Sequence, residues 1–179
     1  MKRKFIAIGL LFLLILFGCN KEKEYKEILN DERIDTLIHQ EKVGEGVVLF
    51  YIPNVTSDGE LIEARFIEKT LFGWEASSSD RGGGSSLQSI PTIFLPRMSG
   101  QSLLFGFNPN KNINKITVEY KYGEDAKEIQ AKTIEDNEIH IWFAFVEMPK
   151  VKTLYTIKGY SDGKLIETTR EESVEPHTK

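Results

Sequence analysis

The run Ile139-His140-Ile141-Trp142-Phe143-Ala144-Phe145-Val146 narrows the possible folds more than any other stretch of the chain. Successive side chains of an extended strand point to opposite sides. Here both sets are largely apolar, so the stretch reads as a central strand covered on both faces. Gly46-Val47-Val48-Leu49-Phe50-Tyr51-Ile52 has the same character, bounded by Gly46 and Pro53, and reads as a second strand covered on both faces.

Shorter runs surround these two. Ser57-Asp58-Gly59 is a turn signal, and Leu61 to Glu68 returns with alternation, Ile62, Ala64 and Phe66 against Glu63 and Arg65. With the strand before it, this predicts a hairpin. Leu71 to Ala76 is an expected third strand, and Ser77 to Ser86, rich in Ser and Gly, an expected loop. Leu87 to Leu95 is apolar but interrupted by Pro91, which demotes it to an edge strand or an irregular segment. Strands are expected at Ser102–Phe107, Ile113–Tyr122, Lys127–Ile134, Thr153–Tyr160 and Lys164–Thr169. The last two flank a second turn, Ser161-Asp162-Gly163. Residues 57–63 and 161–167 match at six of seven positions. Their flanks differ, so two Asp-Gly hairpin turns explain the echo more simply than a duplication.

Tyr25 to Gln40 reads as helical. Tyr25, Ile28 and Leu29 form one apolar cluster and Ile34, Leu37 and Ile38 another; a break near Asn30-Asp31 would put both on the body. His39 would then cap a helix end. The expected fold is mainly β: a β-sandwich with a short N-terminal helical segment. The stretch from Asn112 to Thr169 has the strand content of an immunoglobulin-like C-terminal half, without its Cys…Trp…Cys core.

The first nineteen residues point to a location. Lys2, Arg3 and Lys4 are followed by an uncharged apolar run, Phe5 to Phe17, which is shorter than the ~20 residues that span a bilayer and fits the core of a signal peptide. Leu16-Phe17-Gly18-Cys19 resembles the lipobox of bacterial lipoproteins. Leu16, Gly18 and Cys19 match it, and Phe17 is larger than the residue usual there. The resemblance covers residues 1–20. It implies a diacylglyceryl group on the Cys19 thiol and cleavage between Gly18 and Cys19. With this lipobox, its Lys/Glu/Ile-rich style and its β-rich body, the chain is similar to small lipoproteins of Gram-positive bacteria. The implied organisation is a signal peptide over 1–18, a tether over 19–24, one β-rich domain over 25–170 and a polar tail over 171–179. Localisation follows: lipid-anchored at the outer face of the cell membrane.

Composition limits the partners. The chain has 23 basic and 27 acidic residues. Removing Lys2, Arg3 and Lys4 leaves 20 basic residues, a net charge of −7 on the mature chain with His neutral. Such a body is repelled by phosphate backbones and anionic headgroups, so nucleic acid is not an expected partner. Cys19 is the only cysteine. Once it is lipidated no disulfide can form, and a chain of this length can hold a core without one.

Chemistry is sparse. His39, His140 and His177 are in no ligand spacing, and neither a metal nor a cofactor is expected. Ser99-Gly100 and Ser85-Ser86 lack the surroundings of a nucleophile elbow. Gly82-Gly83-Gly84 with Arg81 could cradle an anion, with Trp74 as a platform nearby, but the Lys of a phosphate loop is missing. Trp74, Arg81, Gly82, Gly83 and Gly84 are thus the candidate ligand loop. Trp142, beside Phe143 and Phe145, is expected in the core. Asn54-Val55-Thr56 is more simply a turn than a glycosylation acceptor. A monomeric, non-catalytic binding module for a protein partner, a wall polymer or a small ligand is the expected function. The alternatives are a glycan-acting enzyme with a carboxylate pair, or a structural envelope lipoprotein.

Overall fold

The structure, a computed structural model, describes residues 34–54, 61–71, 73–83, 93–98, 101–122, 125–136, 139–147 and 151–172. These residues are mainly β, in three antiparallel four-stranded sheets. The first sheet is a meander of β1 (Ile34–Val43), β2 (Gly46–Pro53), β3 (Leu61–Thr70) and β4 (Gly73–Gly83) in chain order. The remaining strands are β5 (Ile93–Met98), β6 (Gln101–Phe107), β7 (Lys115–Tyr122), β8 (Asp125–Gln130), β9 (Lys132–Asp136), β10 (Ile139–Glu147), β11 (Leu154–Ser161) and β12 (Lys164–Glu172). They form a middle sheet of order β5-β6-β10-β9 and a last sheet of order β12-β11-β7-β8.

The alternation of β10 assigns the middle sheet its two neighbours. Ile141 and Phe143 join Leu103 and Phe105 of β6 in one core with Val48, Phe50, Ile62, Ala64 and Phe66 of the first sheet. Trp142, Ala144 and Val146 join Leu104 in a second core with Ile116, Val118, Tyr120, Tyr155 and Ile157 of the last sheet. Ile141, Trp142 and Phe143 are 1%, 0% and 0% exposed, and each contributes about 1.5–3 kcal/mol by leaving water. The middle sheet is therefore apolar at both parities because it has a core on either side. Trp142 lies in the core, as its neighbours in the sequence suggest.

The first sheet is also buried on its far face, where Leu49, Tyr51 and Ile67 are fully buried and Leu37, Val47 and Trp74 pack against them. The last sheet differs. Its far face carries Glu119 and Lys121 of β7, Thr156 and Lys158 of β11, and Thr168 and Arg170 of β12, a polar surface, with Thr117 of β7 buried among them. Among the described residues it is the broad sheet face left to solvent.

Turns hold the registers. Asp162 and Gly163 have φ of 49° and 81°, the left-handed pair of a two-residue hairpin between β11 and β12. Strands β2 and β3 pair with Tyr51 opposite Glu63; the Ser57-Asp58-Gly59 turn between them lies outside the described residues. The two echoed segments meet different surroundings. Ile62 is on an internal strand and fully buried, whereas Ile166 is on an edge strand and 46% exposed. Crossings between the middle and last sheets are tied by Asn108, whose N–H donates to the His140 carbonyl at 2.8 Å and whose side chain donates to the Ile113 carbonyl at 3.0 Å.

Four expectations need correction. Residues 34–40 of the expected helix are strand β1, so His39 sits on a strand and caps no helix; residues 25–33 lie outside the described residues. Leu37 and Ile38 face opposite sides of a sheet buried on both, and register shifts at Ile34/Thr36 and Leu37/His39 break the period of two. Those shifts give the apolar residues a helix-like spacing. Ser77 to Gly83 belong to β4 and not to a loop; pairing with β3 overrides the poor strand preference of Ser and Gly. Lys127 to Ile134 is not one strand: it splits at Ala131 into β8 and β9, which join different sheets. The polar tail begins later than 171, because β12 continues to Glu172.

Candidate functional site

A groove of about 610 Å³ lies on the polar far face of the last sheet, within the usual range of ligand pockets. Strand registers set its floor. Lys121 of β7 is opposite Ala126 of β8, and Glu119 is opposite both Glu128 of β8 and Thr156 of β11. Leu154 begins β11 beside them, and Val151 to Thr153 form one wall. Leu154 and Val151 are 51% and 67% exposed. With Ala126 they are the apolar side chains of the groove, on a face otherwise rich in Thr, Lys, Glu and Arg, so the groove offers a local apolar patch within a charged surround.

Its charges divide into tied and untied. Glu119 accepts a hydrogen bond from the Lys158 ammonium, which holds that group above the usual lysine value, against a smaller opposing effect of burial. Lys127 pairs with Glu147 at 2.5 Å and Lys152 with Glu172 at 2.7 Å. Lys121 and Glu128 are in no ion pair among the described residues, although the Glu128 charge also acts on Lys158 as a weaker effect than that of Glu119. Glu119 and Glu128 stand directly opposite each other, an arrangement that is unfavourable between like charges and that Lys158 partly offsets.

Two other polar clusters are embedded in the fold. On the far face of the first sheet the Tyr51 hydroxyl donates to Glu63 at 2.5 Å, Arg65 lies 3.5 Å from the same oxygen, and the Arg65 guanidinium sits 5.4 Å from the Tyr51 ring centre. Glu63 and Arg65 are each 3% exposed. This network lies buried on that face. Between the first and middle sheets Glu41 accepts from Lys132 at 2.5 Å and pairs with His39 at 3.2 Å, while the His39 ring stacks on Phe50 and Phe143. Burial pushes the Glu41 carboxyl up, but the hydrogen bonds from Lys132 and His39 outweigh it and leave the value lowered. In the core below the groove, burial, with Tyr120 adding to it, pushes the Tyr155 phenol up to about 12.

The residues singled out in the sequence do not converge. Trp74 opens β4, opposite Lys69, and packs on the far side of the first sheet. Arg81, Gly82 and Gly83 end the same strand, opposite Glu63, Ile62 and Leu61. Seven residues of strand separate Trp74 from Arg81, about 23 Å, so they do not form one ligand loop. Gly84, Gly18 and Cys19 lie outside the described residues. The strand expected over 113–122 contains Glu119 and Lys121, but nothing in the sequence marks Glu128, Val151 and Leu154 as their neighbours. Only the pairing of β7 with β8 and β11 brings them together. Among the described residues no group of three or more His, Cys, Asp and Glu could hold a metal ion, and no helix is long and apolar enough to cross a membrane. Comparison of the chain with protein-family models, with curated proteins and with solved structures returns no match.

Proposed function

We propose that this chain is a lipid-anchored, extracytoplasmic binding module, tethered at Cys19 and monomeric, whose ligand seat is the groove on the last sheet. The observation that carries the reading is the contrast between faces. The first sheet is buried on both sides and the middle sheet has a core on either side, while the last sheet turns outward with exposed Val151 and Leu154 in a cleft. The groove lies on the last sheet, two layers from the first, about 20 Å across two sheet spacings.

We infer as well that the middle and last sheets form an immunoglobulin-like sandwich. Lettered in chain order from β5, their eight strands fall as A-B-E-D and G-F-C-C′. Leu104 and Ile157 share a core on the B and F equivalents, where the family carries its inter-sheet disulfide, and Tyr155 precedes Ile157 by two residues, as the corner tyrosine does.

The test uses the full chain in its native membrane. A photo-crosslinking residue at Thr156 in the groove should yield a discrete adduct, absent when the same residue stands at Thr168. Mass spectrometry should find a diacylglyceryl group on Cys19, and Cys19→Ser should release the protein from the membrane. An unmodified Cys19 with residues 1–18 retained, or equal labelling from both positions, would refute the reading. A second reading, a glycan-acting enzyme, draws on the opposed Glu119 and Glu128, because glycosidases work with two carboxyls roughly 5–10 Å apart. Hydrolysis of wall glycan by the wild type, lost in both Glu119→Gln and Glu128→Gln, would favour it.

A further inference from the structure

We propose that the groove receives an extended peptide segment of a partner protein that carries an acidic and a basic residue on either side of apolar ones. This rests on the reading of the groove as the ligand seat and names the chemistry of its occupant. Lys127, Lys152 and Glu119 are each held by a partner, Glu147, Glu172 and Lys158 respectively. Their charges are already neutralised and add little to recognition. Among the described residues Lys121 and Glu128 remain outside any ion pair, Glu128 feeling only the longer-range charge of Lys158; they are opposite in sign and on neighbouring strands. Lys121 is opposite Ala126, two residues from Glu128, so the two are diagonal neighbours about 7–8 Å apart at their backbones. Between and beside them lie Ala126, Leu154 and Val151.

A ligand of one charge sign would satisfy one of the pair and be repelled by the other. A neutral apolar ligand would bury an unpaired ammonium and an unpaired carboxylate, which is unfavourable. A zwitterionic segment with a central apolar side chain meets all three features: its carboxylate on Lys121, its cation on Glu128, its apolar group against Leu154 and Val151. An extended peptide also matches the flat, strand-built floor, with successive side chains alternating toward and away from it.

The test measures fluorescence anisotropy with the full-length lipidated protein in nanodiscs. Three labelled tetrapeptides serve as probes: Asp-Leu-Leu-Lys, its neutral counterpart Asn-Leu-Leu-Gln, and its polar counterpart Asp-Ser-Ser-Lys. The first should bind saturably and the other two about tenfold more weakly or less. Lys121→Glu and Glu128→Lys should each weaken the first probe about tenfold, as loss of a charge pair plus like-charge repulsion requires. The double exchange should restore most of the affinity for the reversed peptide Lys-Leu-Leu-Asp. Both positions are solvent-facing, and an unchanged melting temperature checks that the variants stay folded. Equal binding of the charged and neutral probes, or single variants without effect, would overturn the proposal. If no peptide binds but a wall glycan fragment protects Thr156 from crosslinking, the peptide assignment fails while the groove remains the ligand seat. If Thr156 gives no specific adduct at all, both readings fail.

Discussion

Replacing Phe143 by Ala tests whether the three sheets act as one cooperative body. The ring is fully buried in the core between the first and middle sheets. It stacks on Phe50 at 4.8 Å and on His39 at 5.6 Å, and meets Phe145 edge-on at 5.8 Å. Truncating a fully buried Phe to Ala costs about 3–5 kcal/mol. Three aromatic partners and a β-sheet backbone that cannot collapse into the cavity argue for the upper half of that range. With a urea slope of roughly 2 kcal/mol per molar, the midpoint should fall by about 2 M. The two tryptophans supply separate reporters: Trp142 in the core between the middle and last sheets, Trp74 on the far side of the first sheet. In Trp74→Phe and Trp142→Phe backgrounds, each reports a different interface. Because Phe143 and Trp142 are neighbours on β10, the same backbone serves both cores. Phe143→Ala should therefore shift both transitions together. A transition that moves at Trp74 while Trp142 keeps its wild-type midpoint would show two independently stable units and refute the reasoning.

Other outcomes follow from single contacts. A Cβ at Gly46 would stand 2.5 Å from a Phe66 ring carbon and 2.6 Å from the Ile67 carbonyl oxygen; Gly46→Ala should lose about 1–3 kcal/mol and lower the melting temperature measured by circular dichroism. At Gly163 the space is open but φ is +81°, so Gly163→Ala should cost only the left-handed backbone penalty, about 1–2 kcal/mol, seen as a smaller shift in the same melt. The lowered value of the Glu41 carboxyl means its stabilising effect is present above the unfolded carboxylate value, about 4.3, and is lost as pH falls through the folded one. Glu41→Gln should thus lower the urea midpoint near neutrality and flatten its decline below about pH 4.3, read from midpoints taken across that range.

Much of the fold was readable because it obeys local rules. The two-sided apolar character of β10, the Asp162-Gly163 turn and the hairpin that returns at Leu61 all depend on residues within a few positions of one another. The segment read over 87–95 as an edge strand or irregular stretch is shifted: edge strand β5 spans Ile93–Met98 and contains Pro96, between the register positions Leu95 and Met98, while Pro91 lies outside the described residues. Failures came where distant pairing decided the outcome. Nothing near Ile34-Leu37-Ile38 announces that both faces of its sheet are buried, so a bulged strand has a helix's spacing. Ser77 to Gly83 have the composition of a loop and are strand only because β3 lies beside them. The groove was invisible for the same reason. Glu119 and Leu154 are 35 positions apart in the sequence, and their approach is a product of sheet order.

A sheet sandwiched between two others has no side that water welcomes. Before its neighbours arrive, residues 101–107 and 139–147 are short, β-prone and nearly free of charge, the profile of segments that pair promiscuously with copies of themselves. Because β10 is made after the first sheet and before β11 and β12, the newly emerged chain carries this greasy ribbon with one flank still bare. For such a molecule the hazardous interval is its assembly, and whatever escorts it at that stage must shield the middle layer first.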